Sequence, residues 1–569
     1  MNCEWFRLEG TSWRWLAAAT LLLSAILAIV GGGDSLPLDG HELFVARGTE
    51  EMLERQSYLV PFINGEPRLK KPPLNNWLIV LAHLGRSHSH VTALEARLPS
   101  MAAGVALTGI TLALGTVLMD RRRALLGALL TACSSAYLSY THSARPEMLF
   151  AALSMAGLLG FVLADRRLRE GRPAWVCSAW AWLAWSLATL TKGPHFPLIF
   201  LAAIVVWQWR QAGWRQALRV LRLDLGLPLF VLVCGSWAAM VFWNVPNVMD
   251  AWRHEASMRF DGRDKSWLSR LNPYYLYRTA ALVAPWSALF PLALLWPWLS
   301  RRQPRDPAAG LWWTVATSIA VMSLLSRPRW YYLLPILVPL TLLMSDALLA
   351  QLEAMPARWR RLAAVVLAGH AVALAVLACS SWNQVEPTYV LRGAAAALAL
   401  LAGAWVARKL WLGAEGAALP LATLMAAGGL CFASVAYDGG WWEPARQIRR
   451  DFALKVAQLV PADQPLLGWR GDDWIEEAYA ADRIIAQADE IADLEAALQK
   501  SPVVWVLAEV VEPGRKRALP VTDTPVLITE LADDDRDDDV KIALWQVERS
   551  DLPLHSMLNR LCAAGQAGR

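Results

Sequence analysis

Residues 147–192 read EMLFAALSMAGLLGFVLADRRLREGRPAWVCSAWAWLAWSLATLTK: two apolar runs separated by a short basic loop. Each run approaches the roughly 20 residues an α-helix needs to cross about 30 Å of hydrocarbon. The connecting loop holds Arg166, Arg167, Arg169 and Arg172, while Glu147 and Lys192 stand at the far ends. Two successive membrane spans joined on an arginine-rich side are the simplest reading.

The pattern repeats in both directions. The 569-residue chain is 56% hydrophobic and 18% charged, where a soluble protein would carry about 25% charge. Apolar windows fall at 13–31, 98–119, 124–141, 147–165, 174–191, 195–209, 224–244, 279–299, 311–326, 330–349, 362–381, 393–412 and 416–436, which predicts about thirteen spans. NWLIVLAHLG at 76–85 is too short to span and reads as interfacial or re-entrant. Threading the windows in order puts Arg121–Arg123, Arg166–Arg172, Arg210–Arg222, Arg301–Arg305, Arg358–Arg361 and Arg408–Lys409 on one face. By the positive-inside rule that face is cytoplasmic. The N-terminus then also lies inside and reads as a retained signal anchor. The seven cysteines form no CxxC or CxxH spacing, and five lie in apolar segments, so no disulfide framework is expected.

Past residue 437 the long apolar windows end and acids accumulate, DDDRDDD at 533–539 among them. PLLGW, RIIAQA, VVWVLAE and KIALWQVE read as strands, and DDWIEEAYAA and DEIADLEAALQ as helices. The expected organisation is a polytopic α-helical membrane domain over 1–436, with catalytic outer loops, followed by an extracytoplasmic α/β domain over 437–569.

Ionisable groups recur at helix ends on the face opposite the arginines. Asp39, His41 and Glu42 precede ELFVARGTEEMLE, whose apolar spacing predicts an amphipathic helix at the membrane interface. Those polar groups serve either as a helix cap around Asp39 or as a reactive cluster. Arg68 and Lys70–Lys71–Pro72–Pro73 follow; the prolines stiffen the path and hold a cation where it meets a lipid phosphate or simply snorkels. His142, Arg145 and Glu147 lie in HSARPE, Lys192 in LTKGPH, and Arg327, Arg329, Tyr331 and Tyr332 in SRPRWYY. Together they form a surface suited to an anionic lipid headgroup. His41, His142, His195 and His254 also map to this face, but scattered loops show no converging metal ligands.

DGHELFVARGTEEMLERQSYLVPFINGEPRLKKPPLNNWL, ARLPS, HSARPEMLF, LTKGP and PRWYYLLP, in that order, resemble the GT-C glycosyltransferases. The most similar group holds the bacterial aminoarabinose-lipid A transferases and protein O-mannosyltransferases. The resemblance implies a multi-span domain, often of thirteen helices, with a periplasmic domain after it. It places the family's Asp-Glu pair on His41 and Glu42, with Asp39 two residues earlier. It puts the lysine before the double proline on Lys71, with Lys70 where a glutamate usually stands. The second-loop acid falls on Glu147, and the Lys-Gly-Pro lysine on Lys192.

The implied activity is transfer of a sugar from a polyprenyl-phosphate donor to an envelope glycolipid such as lipid A, or to a protein. It would run at the periplasmic face of a bacterial inner membrane, with inversion. Glu42, His41, Asp39 and Glu147 are then the candidate catalytic groups. Lys71, Lys70, Arg68, Lys192, Arg327 and Arg329 are candidates for the donor phosphate, and Arg145, His142, Tyr331 and Tyr332 for substrate positioning. No cofactor is expected, a divalent metal is left open, and membrane lipids but no nucleic acid are expected partners. The alternatives are a flippase of lipid-linked sugars, which should place polar groups near the bilayer midplane, and a non-catalytic glycan-binding protein.

Overall fold

A computed structural model describes residues 11–30, 32–33, 37–86, 89–193, 201–202, 205–207, 213–253, 274–299, 306, 308–323, 329–379, 388–413, 416–435, 444–470, 474–510, 519, 524–531 and 540–548. Arg327, His195, His254, the acidic run 533–539 and most of the window 195–209 lie outside the described residues. The chain forms two compact units. One comprises residues 1–36, 69–84 and 93–441, and the other residues 37–68, 85–92 and 442–569. The second unit therefore draws in most of the first outer loop, in addition to the tail expected from residue 437.

The first unit is helical and polytopic. Its opening helices are α1 (Thr11–Ile29), α3 (Leu74–Ala82), α4 (Ala93–Leu118), α5 (Arg121–Ala132), α6 (Ser135–Thr141), α7 (Glu147–Arg169) and α8 (Trp175–Lys192); α2 (Gly40–Arg55) belongs to the second unit. Eight helices among the described residues are long and apolar enough to cross a membrane, or nine if α5 and α6, bent by 54°, count as one. The expected count was about thirteen; of the remaining windows, 195–209 lies mostly outside the described residues, and two others have local causes. The window 279–299 breaks into the short helices Tyr274–Leu282, Ser287–Leu289, Phe290–Leu294 and Trp296–Leu299, because Pro285, Pro291 and Pro297 interrupt the hydrogen-bond ladder. The window 311–326 yields only Ala309–Met322. The segment predicted to be too short to span is α3, nine residues long.

Small residues set the helix approaches. A Cβ added to Gly157 on α7 would lie 2.3 Å from the Trp185 ring on α8, and Trp185 Nε1 donates to the Ser154 carbonyl at 3.1 Å. Gly160 likewise faces Ala181 and the Cys177 carbonyl. With no hydrophobic driving force between helices in lipid, such close packing is what joins them. At the arginine-rich end, Arg123 Nε donates to Asp346 Oδ1 at 2.5 Å, and Trp296 Nε1 donates to Oδ2 at 2.7 Å, so a buried carboxylate is fully paired.

The second unit is α/β. Strands β3 (Leu466–Trp469), β4 (Ala486–Ala488), β5 (Val503–Glu509), β6 (Leu527–Leu531) and β7 (Val540–Glu548) form a sheet in the order β4-β3-β5-β7-β6. β3 is parallel to β4 and β5, while β7 runs antiparallel to β5 and β6. Trp505 and Leu507 enter one core with Phe452 and Val456; Val504, Val506 and Ala508 enter the other with Leu494 and Leu498. Both faces are thus covered, as the alternation along VVWVLAE requires. β6 is the one strand of this sheet that the periodicity reading did not identify.

Helix α2 (Gly40–Arg55) and the short hairpin β1 (Phe62–Ile63)–β2 (Glu66–Pro67) fold with this unit. The expected interfacial helix is corrected on its polar side. Arg47, Glu50 and Glu51 are completely buried, because Arg47 pairs with both glutamates and with Asp482 of the C-terminal segment.

Candidate active site

In the first unit the site is built at one end of the α7–α8 hairpin. Glu147 opens α7 and Lys192 closes α8, so antiparallel packing brings the two ends together. Each charge also suits its helix terminus, the acid at the positive end and the base at the negative one. Lys192 Nζ lies 3.3 Å from Glu147 Oε1, both side chains being buried. Lys71 Nζ approaches the same oxygen to 3.9 Å, with its side chain 43% exposed. Glu147 Oε2 is buried without a hydrogen bond among the described residues.

The backbone before α3 explains how Lys71 reaches that point. Pro72 stiffens the path and Pro73 takes the N-cap position, which fixes where the lysine leaves the chain. Asn75 Nδ2 then donates to the Ala144 carbonyl at 2.9 Å, tying α3 to the turn that carries Glu147. The turn is held from α4 as well, by Ser100 Oγ donating to the Arg145 carbonyl at 3.1 Å. Behind α3, His83 Nδ1 meets Glu95 of α4 at 3.2 Å, a buried pair.

Aromatic rings close the other side. Lys192 Nζ stands 4.8 Å and 4.9 Å from the ring centres of Tyr331 and Tyr332, and 5.6 Å from that of Phe150. These are cation–π distances in a desolvated setting. Tyr331 and Tyr332 meet edge to face at 5.0 Å, and Tyr140 is 6.3 Å from Tyr331. The Tyr275 hydroxyl accepts from the Arg329 backbone N–H at 3.1 Å, while the Arg329 side chain is exposed. His142 donates from Nδ1 to the Leu138 carbonyl at 2.8 Å; burial pushes its imidazole down to about 4, so the ring is neutral near pH 7. Arg145 adds its positive field at Glu147, and Lys70 is exposed.

The structure therefore joins Lys71, Glu147, Lys192, Tyr331 and Tyr332 in one cluster. Asp39, His41, Glu42 and Arg68 belong to the second unit. There Asp39 is the N-cap of α2: its carboxylate accepts from Glu42 N at 2.7 Å, and Glu42 Oε2 accepts from Asp39 N at 2.9 Å. This reciprocal capping box gives both acids a structural task. His41 is exposed, and the Arg68 guanidinium lies 4.1 Å above the Phe44 ring. Sequence reasoning missed Asn75, Phe150 and Tyr275. Only Asn75 carried a signal, an amide two residues after the double proline.

A family profile described as dolichyl-phosphate-mannose-protein mannosyltransferase matches residues 70–237, from the lysine–proline motif past α8. The undecaprenyl phosphate-alpha-4-amino-4-deoxy-L-arabinose arabinosyl transferase 1 of Pseudomonas fluorescens is 28% identical over 382 residues, 62% of this chain and 64% of its own length. The corresponding transferase of Pseudomonas paraeruginosa is 28% identical over 404 residues, 66% of this chain and 68% of its own. The crystal structure of ArnT from Cupriavidus metallidurans bound to undecaprenyl phosphate shares the fold with a TM-score of 0.68 at 19% identity, covering 94% of this chain and 98% of that one. In the order of its motifs, in its fold and in these likenesses, the chain is similar to the GT-C glycosyltransferases.

Proposed function

We propose that this membrane enzyme transfers a sugar from a polyprenyl-phosphate donor to a phosphate-bearing envelope glycolipid of the lipid A kind, on the periplasmic face of a bacterial inner membrane. The observation that carries the reading is the convergence of Lys71 and Lys192 on one oxygen of Glu147. Two lysines around one carboxylate leave an excess positive charge. A donor phosphate is the anion that suits it, and relatives named for undecaprenyl-phosphate sugars support that choice. The gathering of arginines on the opposite face supports the orientation.

In the reaction, an acceptor oxygen forms a bond to the anomeric carbon while that carbon's bond to the donor phosphate oxygen breaks. The electron pair leaves with the polyprenyl phosphate, whose growing charge Lys71 meets at the exposed side and Lys192 from the buried side. Direct displacement inverts the anomeric centre. A hydroxyl acceptor would need a base to take its proton. Asp39 and Glu42 are engaged in capping, and Glu147 is held by two lysines. A phosphate acceptor is already an anion and needs no base, which is why we favour it. The lysines supply the positive charge, so the transfer step is assigned no cofactor.

The test is transfer of labelled sugar from synthetic undecaprenyl-phosphate sugar to a lipid A acceptor by the purified chain in proteoliposomes. A dephosphorylated acceptor should be inactive. Donor movement across the bilayer without any transfer would instead establish a flippase.

A further inference from the structure

Helix α2 carries a second concentration of charge, within the second unit, that the transfer chemistry does not use. Arg47 is fully buried, with Glu50 and Glu54 at 3.0 Å and Glu51 and Asp482 at 3.5 Å. Arg55 adds one more cation, 3.9 Å from Glu51. Four carboxylates against two guanidiniums leave two negative charges unbalanced. Glu51 is satisfied by the backbone N–H groups of Asn64 at 2.7 Å and Gly65 at 2.9 Å. Glu50 faces another way. Its Oε2 accepts from Arg47, and its Oε1 accepts from Val91 N at 2.9 Å and lies 3.0 Å from His90 Nδ1. That nitrogen is buried, and Glu50 is the carboxylate beside it. One ligand atom each from Glu50, His90 and Asp482 lies within 4.8 Å of the other two.

We propose that Glu50, His90 and Asp482 bind a zinc ion that fastens α2 and residues 85–92 to the C-terminal segment. One imidazole nitrogen with two carboxylate oxygens is a zinc-type donor set, and water completes a tetrahedron. Ligand atoms about 2.0–2.2 Å from one zinc stand roughly 3.3 Å apart, close to the His90–Glu50 separation. Asp482, half exposed, closes the remaining gap by a side-chain rotation. The dication cancels the two excess charges, and Arg47 keeps the opposite oxygen of Glu50. Tyr479 orients the imidazole from outside the ligand set: its hydroxyl donates to the Val91 carbonyl at 2.7 Å, and its ring packs on His90 at 4.9 Å.

The test uses the untagged full chain in detergent, stripped with chelator and then dialysed against micromolar Zn²⁺. Bound metal is measured by mass spectrometry and unfolding by thermal scan. The wild type should retain one equivalent and unfold at a higher temperature with zinc. His90→Gln and Asp482→Asn, which preserve size, should elute as wild type on gel filtration, bind zinc at least tenfold more weakly and lose the zinc-dependent shift. Zinc retained equally by wild type and both variants, or absent from the wild type, overturns the proposal and leaves a plain histidine–glutamate pair.

Discussion

Replacing Lys71 by alanine separates the catalytic use of the lysine cluster from its structural use. At 3.3 Å and an effective dielectric near 20, the buried Lys192–Glu147 pair is worth about 5 kcal/mol before desolvation is counted. Lys71 is farther, at 3.9 Å, and its side chain is 43% exposed, so its attraction falls toward the aqueous limit of about 1 kcal/mol. Lys71→Ala should therefore shift the unfolding temperature by only about 2 °C or less. Transfer should behave differently, because in the proposed reaction the lost cation faces the phosphate as charge develops there. Removing one such group costs about 2.7–4 kcal/mol of transition-state stabilisation, or roughly 10²–10³ in rate. Lys192→Met should instead cost about 3–5 kcal/mol of stability, since it strips the nearer partner from a buried carboxylate. The assays are initial rates with labelled undecaprenyl-phosphate sugar in proteoliposomes and thermal scans in the same detergent. Lys71→Ala transferring within about threefold of wild type, or losing activity only in step with unfolding, would refute the phosphate-clamp reasoning.

Four further outcomes are expected. Glu42→Gln still accepts the capping hydrogen bond, so transfer to a phosphate acceptor should stay near the wild-type rate; a drop of about 10²-fold with an intact fold would mark Glu42 as a base after all. Gly157→Val drives a side chain into Trp185 and should cost about 1–3 kcal/mol or more, read as a lower unfolding temperature together with lost transfer. His142, pushed down to about 4 in the folded chain, is neutral there at pH values where the unfolded chain is protonated. Its contribution is thus intact above pH 6.5 and is lost as pH falls toward 4, by up to about 3 kcal/mol; His142→Gln should flatten that slope in thermal scans. Alkaline phosphatase fused after residue 440 should be active, and a fusion within Arg121–Arg123 inactive; the reverse pattern would turn the whole site to the cytoplasm.

How much of this was legible depended on the range of the interaction. Windows such as 147–165 and 362–381 became continuous helices because each satisfies its backbone internally and needs only length and apolarity. The window 279–299 did not, although its prolines stood in plain view; hydropathy counts them as neutral, whereas the helix loses a donor at each. VVWVLAE announced a buried strand through its run of β-branched residues, but LITEL carried too few alternating positions to stand apart from the loops around it. In the site, motif order found Lys71, Glu147 and Lys192. The meeting of two lysines at a single oxygen joins segments far apart in sequence, where contacts such as Gly157 against Trp185 and Asn75 on the Ala144 carbonyl are not visible. Asp39 and Glu42 show the converse: DGHE had both a capping and a catalytic reading, and the capping one is a four-residue pattern that the local chain completes by itself.

The cluster also explains why an acid should sit among groups meant for an anion. Two ammonium groups converging in a poorly solvated pocket repel each other, and Lys192, buried, would pay heavily without a partner. Glu147 removes that cost before any donor arrives and holds both nitrogens where a phosphate can reach them. An incoming phosphate does not need to displace the acid from Lys192; it needs only the half-exposed Lys71, whose hold on Glu147 is the longer and weaker of the two. In the proposed reaction the same inequality would assist release, with Lys71 regaining Glu147 as the polyprenyl phosphate departs. Glu147→Gln should therefore trap product rather than speed turnover: without the competing carboxylate, undecaprenyl phosphate should bind at least tenfold more tightly and inhibit at correspondingly lower concentration. Product inhibition measured on Glu147→Gln beside wild type decides the point, and an unchanged inhibition constant would reduce Glu147 to a spacer between two lysines.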